Sequence, residues 1–405
     1  MKYIAYLFCY FVYPFSFLFF RKKNKLSFGS FRKSFNDNSK YFFIYCQQHQ
    51  KGLDSAWLSL SRKTVKDIRA HGLKAYYTLS PRGIWYALTS KYWFVNSYTS
   101  DIMFCLSGGA VCVNLWHGLA LKNIEFNITS GKLAKRYVDR GFKEVFTHPE
   151  CFKRPDYVLS SSHFQSDMFA SAFRIPVERC LEYGYPRNMI LTCPDDERMD
   201  FVRKYEPTET RELIERFLGR KYSKVFVYMP TWRDSQLNVF TQSFDMPRLD
   251  ALLKERNELL LLKPHANTKV DKALFENLQN VCFVDGKMDV YPVLPYTDVL
   301  ITDYSSILYD YILMSGKDVI LYLYDYAEYL NERDLYYPFD ENVVGRKVYT
   351  FDELFNCIKK GDYMMDEEQR QVIVNRFWGE TLTKNSNDLI VQKVCSGELS
   401  GWYKK

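Results

Sequence analysis

The sequence predicts an α/β protein with two Rossmann-like domains, each built on a parallel sheet. Its 405 residues exceed the roughly 250 to 300 residues at which a single core stops growing, so two cores are expected. Apolar runs of strand length alternate with helical patterns along the chain, as they do in βαβ units. The run at residues 319–322 is almost continuously apolar, which is typical of a strand covered on both faces.

The first half of the chain carries the signals of one such domain. A helix is predicted over residues 64–71, because Gly72 can adopt the left-handed conformation that ends a helix. A second helix is predicted over residues 166–173. Strands are predicted over residues 41–45, 56–60, 75–79, 111–116, 157–161 and 180–183.

The second half repeats the alternation. Helices are predicted over residues 247–256 and 305–314, and residues 351–405 are expected to be mostly helical. The charged stretch 193–220, with Pro194 and Pro207, marks the link between the halves. Strands are predicted over residues 225–229, 259–262, 281–284, 298–301 and 319–322. The expected domains are a membrane-associating segment with a basic cluster (1–27), an N-terminal domain (28–195), a C-terminal domain (196–375) and a helical segment that packs back on the first domain (376–405).

Composition and charge restrict the classes of partner. The ten cysteines lack metal-ligand spacing, which indicates reduced core residues and no structural metal. No zinc finger, helix-turn-helix or RNA-binding signature is present, so a nucleic acid partner is not expected. The anionic surface of a membrane better explains the most visible source of the net charge of +7, a basic cluster formed by Arg21, Lys22, Lys23, Lys25, Arg32 and Lys33.

The N-terminal segment suits a membrane. Residues 3–20 carry no charge, and about 18 apolar residues are the lower limit for a helix that crosses a bilayer. Pro14 interrupts the run and its tyrosines favour the headgroup region, so a helix lying in the interface is an equal alternative. A third alternative is that this segment is a first helix buried in the protein core. The positive charges follow the apolar run, which argues against a cleaved signal peptide and places the body at the cytoplasmic face of the cell membrane.

Polar clusters follow five of the predicted strands, where open α/β sheets bind their ligands. These clusters are WHG at 116–118, GYPRN at 184–188, PTWRD at 230–234, KPH at 263–265 and TDYSS at 302–306. The last runs through Thr302 and Asp303 into a predicted helix whose first turn offers the hydroxyls of Ser305 and Ser306. Such a helix start is an anion site, although a simple N-cap is the alternative at an isolated junction. The anion site is favoured by basic residues in three of the other clusters: Arg187, Arg233, Lys263 and His265.

Two histidines are candidates for acid-base chemistry. His117 follows a strand and precedes Gly118, and its near-neutral pKa suits removal of a proton from an alcohol. His265 lies beside Lys263, which favours binding of phosphate oxygens or protonation of a leaving group. Asp310 lies one helical turn beyond the serines and is placed to hydrogen-bond a ribose or polyol hydroxyl. An ordinary structural role is the alternative for each of these residues taken alone.

Several reaction classes are disfavoured by missing motifs. The sequence contains no G-x-x-x-x-G-K-[ST] and no G-x-G-x-x-G, which argues against nucleotide hydrolases and dinucleotide enzymes. It contains no G-x-S-x-G, which argues against a serine hydrolase. Fixed cations and a helix dipole can stabilise pyrophosphate charge, so neither a metal nor an organic cofactor is expected.

Taken in order, the five clusters resemble the motifs of the CDP-glycerol glycerophosphotransferase family, enzymes of teichoic acid and capsule polymer assembly. The resemblance extends upstream to FGS at 28–30 and DNS at 37–39, and downstream to YLYDYAEY at 322–329. Two departures occur beside proposed site residues. LALK follows WHG where the family commonly has Thr-Pro-Leu-Lys, and Met189 follows GYPRN where Asp is usual.

This resemblance implies a GT-B-type fold, with two Rossmann-like domains facing a cleft, the acceptor in the first domain and the CDP-polyol donor in the second. It implies that His117 is the base, with Gly118, Thr302 and Asp303 in support. Arg233 joins the charge-stabilising groups. The residues at donor-binding positions of the family are Arg187, Pro230, Thr231, Lys263, His265, Ser305, Ser306 and Asp310.

The expected reaction transfers glycerol phosphate, or a related polyol phosphate, from CDP-glycerol to a hydroxyl of a lipid-linked or saccharide acceptor and releases CMP. The choice between glycerol and ribitol stays open. One alternative is a glycosyltransferase of the same fold that uses a CMP- or UDP-linked sugar. Another is a noncatalytic membrane-bound assembly or lipid-binding protein, which leaves the five clusters unexplained.

Overall fold

The chain folds into two compact α/β units. The computed structural model describes residues 2–131, 133–231, 244–264, 272–332 and 334–402. The first unit comprises Met1–Leu119, Asn123–Arg187 and Arg376–Lys405, and the second comprises Ala120–Lys122 and Asn188–Asn375. In the described residues each unit contains one parallel sheet, which confirms the prediction of two α/β domains built on parallel sheets.

The first sheet has seven described strands. They are β1 (Lys22–Phe28), β2 (Asp54–Ser59), β3 (Ala75–Tyr77), β4 (Ser90–Val95), β5 (Val111–Asn114), β6 (Tyr157–Ser160) and β7 (Cys180–Glu182). Their spatial order is β3-β2-β1-β4-β5-β6-β7, and every neighbouring pair is parallel. The order reverses at β1 and β4, so the strand ends beside this point are where an open sheet of this kind binds ligands.

The second sheet has six described strands. They are β8 (Lys224–Met229), β9 (Glu258–Leu262), β10 (Val281–Phe283), β11 (Val299–Thr302), β12 (Asp318–Tyr322) and β13 (Arg346–Val348). The spatial order is β10-β9-β8-β11-β12-β13, again with parallel neighbours. The reversal lies between β8 and β11, directly before the PTWRD and TDYSS clusters.

Helices flank both sheets. They are α1 (Lys2–Phe15), α2 (Asp37–His49), α3 (Arg62–Ala70), α4 (Pro81–Thr89), α5 (Phe142–Thr147), α6 (Pro149–Phe152), α7 (His163–Phe173), α8 (Met189–Thr192), α9 (Asp195–Tyr205), α10 (Thr208–Arg220), α11 (Met246–Glu255), α12 (Ile307–Tyr311), α13 (Tyr326–Glu332), α14 (Phe351–Lys360), α15 (Glu367–Phe377) and α16 (Ser386–Ser396). The predicted helices at 64–71, 166–173 and 247–256 are confirmed as α3, α7 and α11.

The prediction of a strand at residues 41–45 is wrong, because these residues lie inside α2. Phe42 and Phe43 both pack on Phe28 of β1, and Phe28 stacks on Phe94 of β4 with ring centroids 5.1 Å apart. A short apolar run inside a helix that is buried on most sides, such as residues 41–46, has the same short-range pattern as a buried strand. Burial of the helix in the core therefore overrides the strand propensity of its aromatic residues.

Strands β1, β4 and β13 were not predicted. The first three residues of β1, beginning with Lys22, are exposed, and only its later residues are buried. Lys91 interrupts the start of β4, and β13 has three residues, of which only Val348 is buried. Charged residues at the start of these strands conceal the apolar runs by which a buried parallel strand is recognised.

The basic cluster near the N-terminus is partly internal: Arg21 and Lys25 are buried and do not face a membrane surface, whereas Lys22, Lys23 and Lys33 are exposed. Arg21 is 7% exposed and donates hydrogen bonds to the carbonyls of Ala87, Ser90, Leu106 and Gly108. Lys25, in β1, is also buried and donates to the Thr89 hydroxyl. Both cations satisfy backbone or side-chain acceptors within the fold, so residues 22–27 belong to the first sheet and not to a separate segment.

The first helix also packs on the first unit. The Tyr10 ring stacks on Phe146 of α5 with centroids 5.3 Å apart, and Tyr13 stacks on Phe104 at 4.7 Å. Among the residues that the structure describes, no helix combines the length and the apolar character needed to cross a membrane.

The stretch predicted as a link, residues 193–220, forms the helices α9 and α10 of the second unit. Pro194 and Pro207 occupy the positions that precede these helices. Proline there marks a helix start, because its missing N–H would have no partner in the first turn. At the other end of the chain, residues 376–405 belong to the first unit. The Thr381 hydroxyl donates to the Ser161 carbonyl at 2.6 Å.

Candidate active site

The loop after β5 presents His117 in a fixed orientation. Its ring is exposed, whereas its neighbour Trp116 is buried and packs against it with centroids 4.2 Å apart. Trp116 has a φ of +53°, a conformation that costs free energy for a residue other than glycine and is found preferentially at functional turns. The loop is thus held in a strained shape that turns the imidazole outward.

One hydrogen bond determines the tautomer of this histidine. Nδ1 of His117 lies 3.0 Å from the backbone oxygen of Asn96. A carbonyl oxygen only accepts hydrogen bonds, so Nδ1 carries the proton and Nε2 keeps its lone pair. Desolvation of the imidazole by the surrounding protein lowers the pKa of His117. Asp37 and the bond to Asn96 oppose this shift, and Arg187 reinforces it. A neutral imidazole with a free Nε2 is suited to accept a proton.

Arg187, predicted to bind the donor, lies in the first unit and is 1% exposed. Its Nη1 lies 2.6 Å from Oδ1 of Asp37, and its guanidinium carbon is 5.2 Å from the centre of the Tyr185 ring. A buried guanidinium requires such a partner because an unpaired buried charge is costly. The arginine therefore lies in the surroundings of His117, together with the carboxylate that balances it.

The DNS sequence at 37–39 connects these loops. The amide nitrogen of Asn38 donates to the carbonyls of Leu115 and Trp116, at 3.1 and 3.0 Å, and its oxygen accepts from the Arg187 backbone N–H at 3.2 Å. Ser39 donates from its N–H and its hydroxyl to Oδ1 of Asn96. Asp37, Asn38 and Asn96 were not predicted as site residues. The signal available was the DNS motif, whose asparagine and aspartate suit loop anchoring.

In the second unit, Asp303 joins two strand-end loops. Thr302 on β11 lies in register with Met229 on β8, and its hydroxyl donates to the Met229 carbonyl at 2.8 Å. The Asp303 carboxylate accepts from the Thr231 N–H at 2.9 Å, the Thr231 hydroxyl at 2.5 Å and the Tyr304 N–H at 2.6 Å. Thr302 and Asp303 thus hold the Pro230–Thr231 turn against the TDYSS loop.

The TDYSS loop is anchored by an aromatic stack and exposes its serines. Tyr304 is buried and stacks on Tyr329 with centroids 3.6 Å apart and planes 6° apart. Ser305 and Ser306 are half-buried. Within the described part of the chain, their backbone N–H groups donate no hydrogen bond. Two amides and two hydroxyls at a strand end are suited to bind an anion.

The predicted helix at 305–314 is wrong in length, because α12 spans five residues, Ile307–Tyr311. The backbone leaves the helix at Ile312 and continues as turns towards Gly316. A helix of a single turn carries little of the aligned peptide dipole on which anion binding at a helix start depends. A bound anion at this loop would therefore be stabilised by the local amides and hydroxyls and not by a helix dipole.

Two further predicted residues lie beside the loop that follows β10, Asp310 buried and Lys263 half-buried. Asp310 is 0% exposed, and its Oδ2 accepts a hydrogen bond from the Tyr291 hydroxyl at 2.8 Å. Nζ of Lys263 donates to the Gly286 carbonyl at 3.1 Å. Burial lowers the pKa of Lys263, and the carboxylates of Asp289 and Asp285 oppose this shift. The Lys263 cation thus has two acidic neighbours within its own unit.

Two predicted site residues, Arg233 and His265, lie outside the described residues. The described ranges contain no group of three or more His, Cys, Asp or Glu side chains that could hold a metal ion.

Comparison with known proteins agrees with these motifs. The family described as CDP-Glycerol:Poly(glycerophosphate) glycerophosphotransferase matches residues 11–396. A teichoic acid glycerol-phosphate transferase of Staphylococcus aureus (strain NCTC 8325 / PS 47) is 28% identical over 372 residues, which are 88% of this chain and 89% of the relative. A teichoic acid poly(glycerol phosphate) polymerase of Bacillus spizizenii is 26% identical over 348 residues, 83% of each chain.

A solved structure shares the fold. The wall teichoic acid polymerase TagF superposes with a TM-score of 0.70 at 23% sequence identity, over 94% of this chain and 91% of that one. This likeness supports a fold of two parallel-sheet units, and the family match covers both of them. The chain therefore belongs to the CDP-glycerol:poly(glycerophosphate) glycerophosphotransferase family.

Proposed function

We propose that this chain transfers glycerol phosphate, or a related polyol phosphate, from its CDP-linked donor to a hydroxyl of a lipid-linked or saccharide acceptor in teichoic acid or capsule polymer synthesis. The family match across residues 11–396 supports the reaction class. The relatives named as glycerol-phosphate transferase and poly(glycerol phosphate) polymerase support glycerol as the polyol.

The observation that carries the mechanism is the hydrogen bond between Nδ1 of His117 and the Asn96 carbonyl. It leaves Nε2 free to take the proton of the acceptor hydroxyl. The resulting oxygen nucleophile attacks the β-phosphorus of the CDP-polyol, and a phosphodiester bond forms. The bond from that phosphorus to the oxygen of CMP breaks, and CMP leaves with the bonding electrons. Proton removal by a placed base contributes about 10²- to 10⁴-fold in rate.

The second unit supplies the proposed donor site. The backbone N–H groups of Ser305 and Ser306 and the hydroxyls of both serines, which can donate, are suited to phosphate oxygens, and Lys263 adds a cation. Pro230 and Thr231 are fixed to this loop through Asp303. Asp310, Arg233 and His265 complete the proposed donor contacts on the basis of the family's motifs.

Product analysis tests the reaction. The protein is incubated with CDP-glycerol or CDP-ribitol and a soluble acceptor analogue, CMP release is followed, and the product is examined by phosphorus NMR and mass spectrometry. A new phosphodiester is expected. A sugar added without phosphorus from a CMP- or UDP-linked donor would identify a glycosyltransferase instead. Failure of every donor to release its nucleotide would favour the noncatalytic alternative.

We also propose that the protein attaches peripherally to the cytoplasmic face of the cell membrane through α1. While Tyr10 and Tyr13 pack on the unit, the opposite side of α1 exposes a row of apolar residues at helical spacing, which suits a helix lying in the interface. These residues are Ile4, Leu7, Phe8, Phe11 and Phe15. Vesicle flotation tests this: the double variant Leu7→Ser, Phe8→Ser is expected to lose binding, and unchanged binding would contradict the proposal.

A further inference from the structure

A cavity of about 390 Å³ lies at the amino ends of β4, β5 and β6. In a parallel sheet this edge is opposite to the carboxyl ends, where His117 follows β5. The cavity is thus distinct from the candidate active site. Its lining comes from the N-terminal segment, the strand starts and the end of the described chain, and consists of Tyr13, Phe17, Lys91, Gly109, Ala110, Phe152, Lys153, Arg154, Asp156, Gly401 and Trp402.

The charged lining is predominantly positive, with three cations and one carboxylate. The Asp156 carboxylate accepts from the backbone N–H groups of Cys112 and Trp402, each at 2.7 Å. Lys153 donates from Nζ to the hydroxyl of Ser107 at 2.7 Å. The Lys91 side chain, in contrast, makes no hydrogen bond or ion pair within the described residues. The one acid is therefore already engaged by two amides, and one lysine is available to a ligand.

The surroundings of Lys91 and Lys153 disfavour their positive charges. Burial lowers the pKa of Lys91, and the positive charges of Arg21 and Lys23, which lie outside the lining, lower it further while Asp156 opposes them. Burial likewise lowers the pKa of Lys153 and Arg21 adds to that effect, while Cys112 and Asp156 oppose it. A bound anion would relieve both the desolvation and the repulsion. The cavity is therefore complementary to a phosphate group.

Apolar surface adjoins this positive cavity. Tyr13 in α1 and Phe17 just after it form part of the lining, and their rings contact each other at 5.4 Å. Leu18, which follows Phe17 in the chain, is 74% exposed, and the side of α1 opposite Tyr13 exposes Leu7 and Phe8 by 59% and 60%. A cation cluster beside an exposed apolar helix matches a ligand with a phosphate at one end and hydrocarbon at the other.

We propose that this cavity binds the phosphate-containing headgroup of an anionic glycerophospholipid while the exposed face of α1 contacts the acyl chains. This inference rests on the membrane attachment proposed above and is independent of the transfer reaction. Lys91 supplies the charge that contacts the phosphate, and Arg154 lies at the rim, 4.9 Å from the Trp402 ring. The affinity of the protein for a membrane thus depends on the charge of the lipid headgroups as well as on apolar contacts.

Flotation of the full chain with two kinds of vesicle tests the inference. One kind contains phosphatidylcholine alone, and the other also contains phosphatidylglycerol. Wild type is expected to bind the second more tightly. Lys91→Gln is expected to reduce that increase about fivefold, the effect of one lysine at an anionic surface, and Lys91→Arg to retain it. Binding to phosphatidylcholine, which depends on α1, is expected to be the same for all three proteins.

The matched control is Lys63→Gln, which removes a lysine of the same unit whose side chain is 88% exposed. An equal loss in this control would show a general charge effect and overturn the inference. A second experiment measures the binding of inorganic phosphate to wild type and to Lys91→Gln. If it binds wild type and not Lys91→Gln while vesicle binding is unchanged, the cavity is a site for soluble phosphate and the lipid proposal is wrong.

Activity separates this inference from the proposed function. Lys91→Gln is expected to release CMP from CDP-glycerol with a soluble acceptor at the wild-type rate. A protein without transferase activity that still shows the Lys91-dependent lipid preference would contradict the proposed reaction and leave the headgroup site standing.

Discussion

The Asp37 carboxylate and the Arg187 guanidinium form an ion pair, with 2.6 Å between Oδ1 and Nη1, and both groups act on the pKa of His117. The negative charge raises this pKa, and the positive charge lowers it. The candidate base is thus surrounded by two opposed charges, so substitution of either residue has a predictable sign.

Loss of the base should affect turnover more than donor binding. His117→Ala is expected to lower kcat by about 10²- to 10⁴-fold. Donor affinity should change little, because the proposed donor contacts other than Arg187 lie in the second unit. CMP release measures the first quantity and calorimetric titration with CDP-glycerol the second. His163→Ala, which removes an exposed histidine of the same unit, is the control. A large loss of CDP-glycerol binding in His117→Ala would assign this residue to the donor site instead.

The two partners of the ion pair should move the pH profile in opposite directions. Activity that requires neutral His117 is lost as the pH falls through its pKa. Asp37→Asn removes the charge that raises this pKa, so the acidic limb of kcat/KM is expected at lower pH. Arg187→Met removes the charge that lowers it, so the limb is expected at higher pH.

The comparison of these two variants separates electrostatics from misfolding. General damage to the loops would lower kcat/KM in both proteins without opposite displacements of the limb. Displacement of both profiles in the same direction would contradict the assignment of His117 as the titrating base.

The junction made by Asp303 should control donor affinity. Asp303→Asn replaces one acceptor oxygen by an amide that faces N–H donors, and Thr231→Val removes one of the bonds. Each is expected to raise the KM for CDP-glycerol about tenfold, since a hydrogen bond to a charged group contributes about 1.5 to 3 kcal/mol.

A matched carboxylate exists in the same unit. Asp250 accepts from the N–H groups of Gln279, Asn280 and Val281. Asp250→Asn should therefore lower the melting temperature without a change in the KM for CDP-glycerol. If both aspartate variants alter KM equally, the effect reports stability and not the donor loop.

Asp101 should make stability depend on pH. It is 7% exposed and accepts from the N–H groups of Asn96 and Ser97, and burial raises its pKa to about 6. Since folding raises this pKa, the protonated carboxyl stabilises the fold at low pH, and that contribution is lost as the pH rises from about 4 through 6. Two pKa units correspond to about 3 kcal/mol.

The measurement is the free energy of unfolding in urea across this pH range, for wild type and Asp101→Asn. The variant is expected to lack the component of the slope that belongs to Asp101. An unchanged slope would show that the carboxyl titrates normally in the folded protein.

The sequence was sufficient where short-range pattern and structure coincide. Strands such as β8, β9 and β12 are continuous apolar runs after a single charged first residue, and the motifs at their ends are local sequences, so both the parallel-sheet fold and most candidate residues were predictable. It was insufficient for α2, whose buried apolar run at residues 41–46 reads as a strand, and for β1, whose first four residues, KKNK, conceal a central strand. The helix at residues 305–314 was overestimated because nothing local in the sequence marks its end at Tyr311.

The sequence by itself determined the class of this protein: two α/β units, the family, and the residues at the ends of the strands. The tertiary structure alone decided how those residues are oriented and which partners they contact. It placed Arg187 beside Asp37, gave His117 its tautomer through Asn96 and turned Arg21 into an internal donor. The physical reason is that hydrogen bonds and ion pairs between residues far apart in the chain depend on distances set by packing, which spacing along the sequence does not encode.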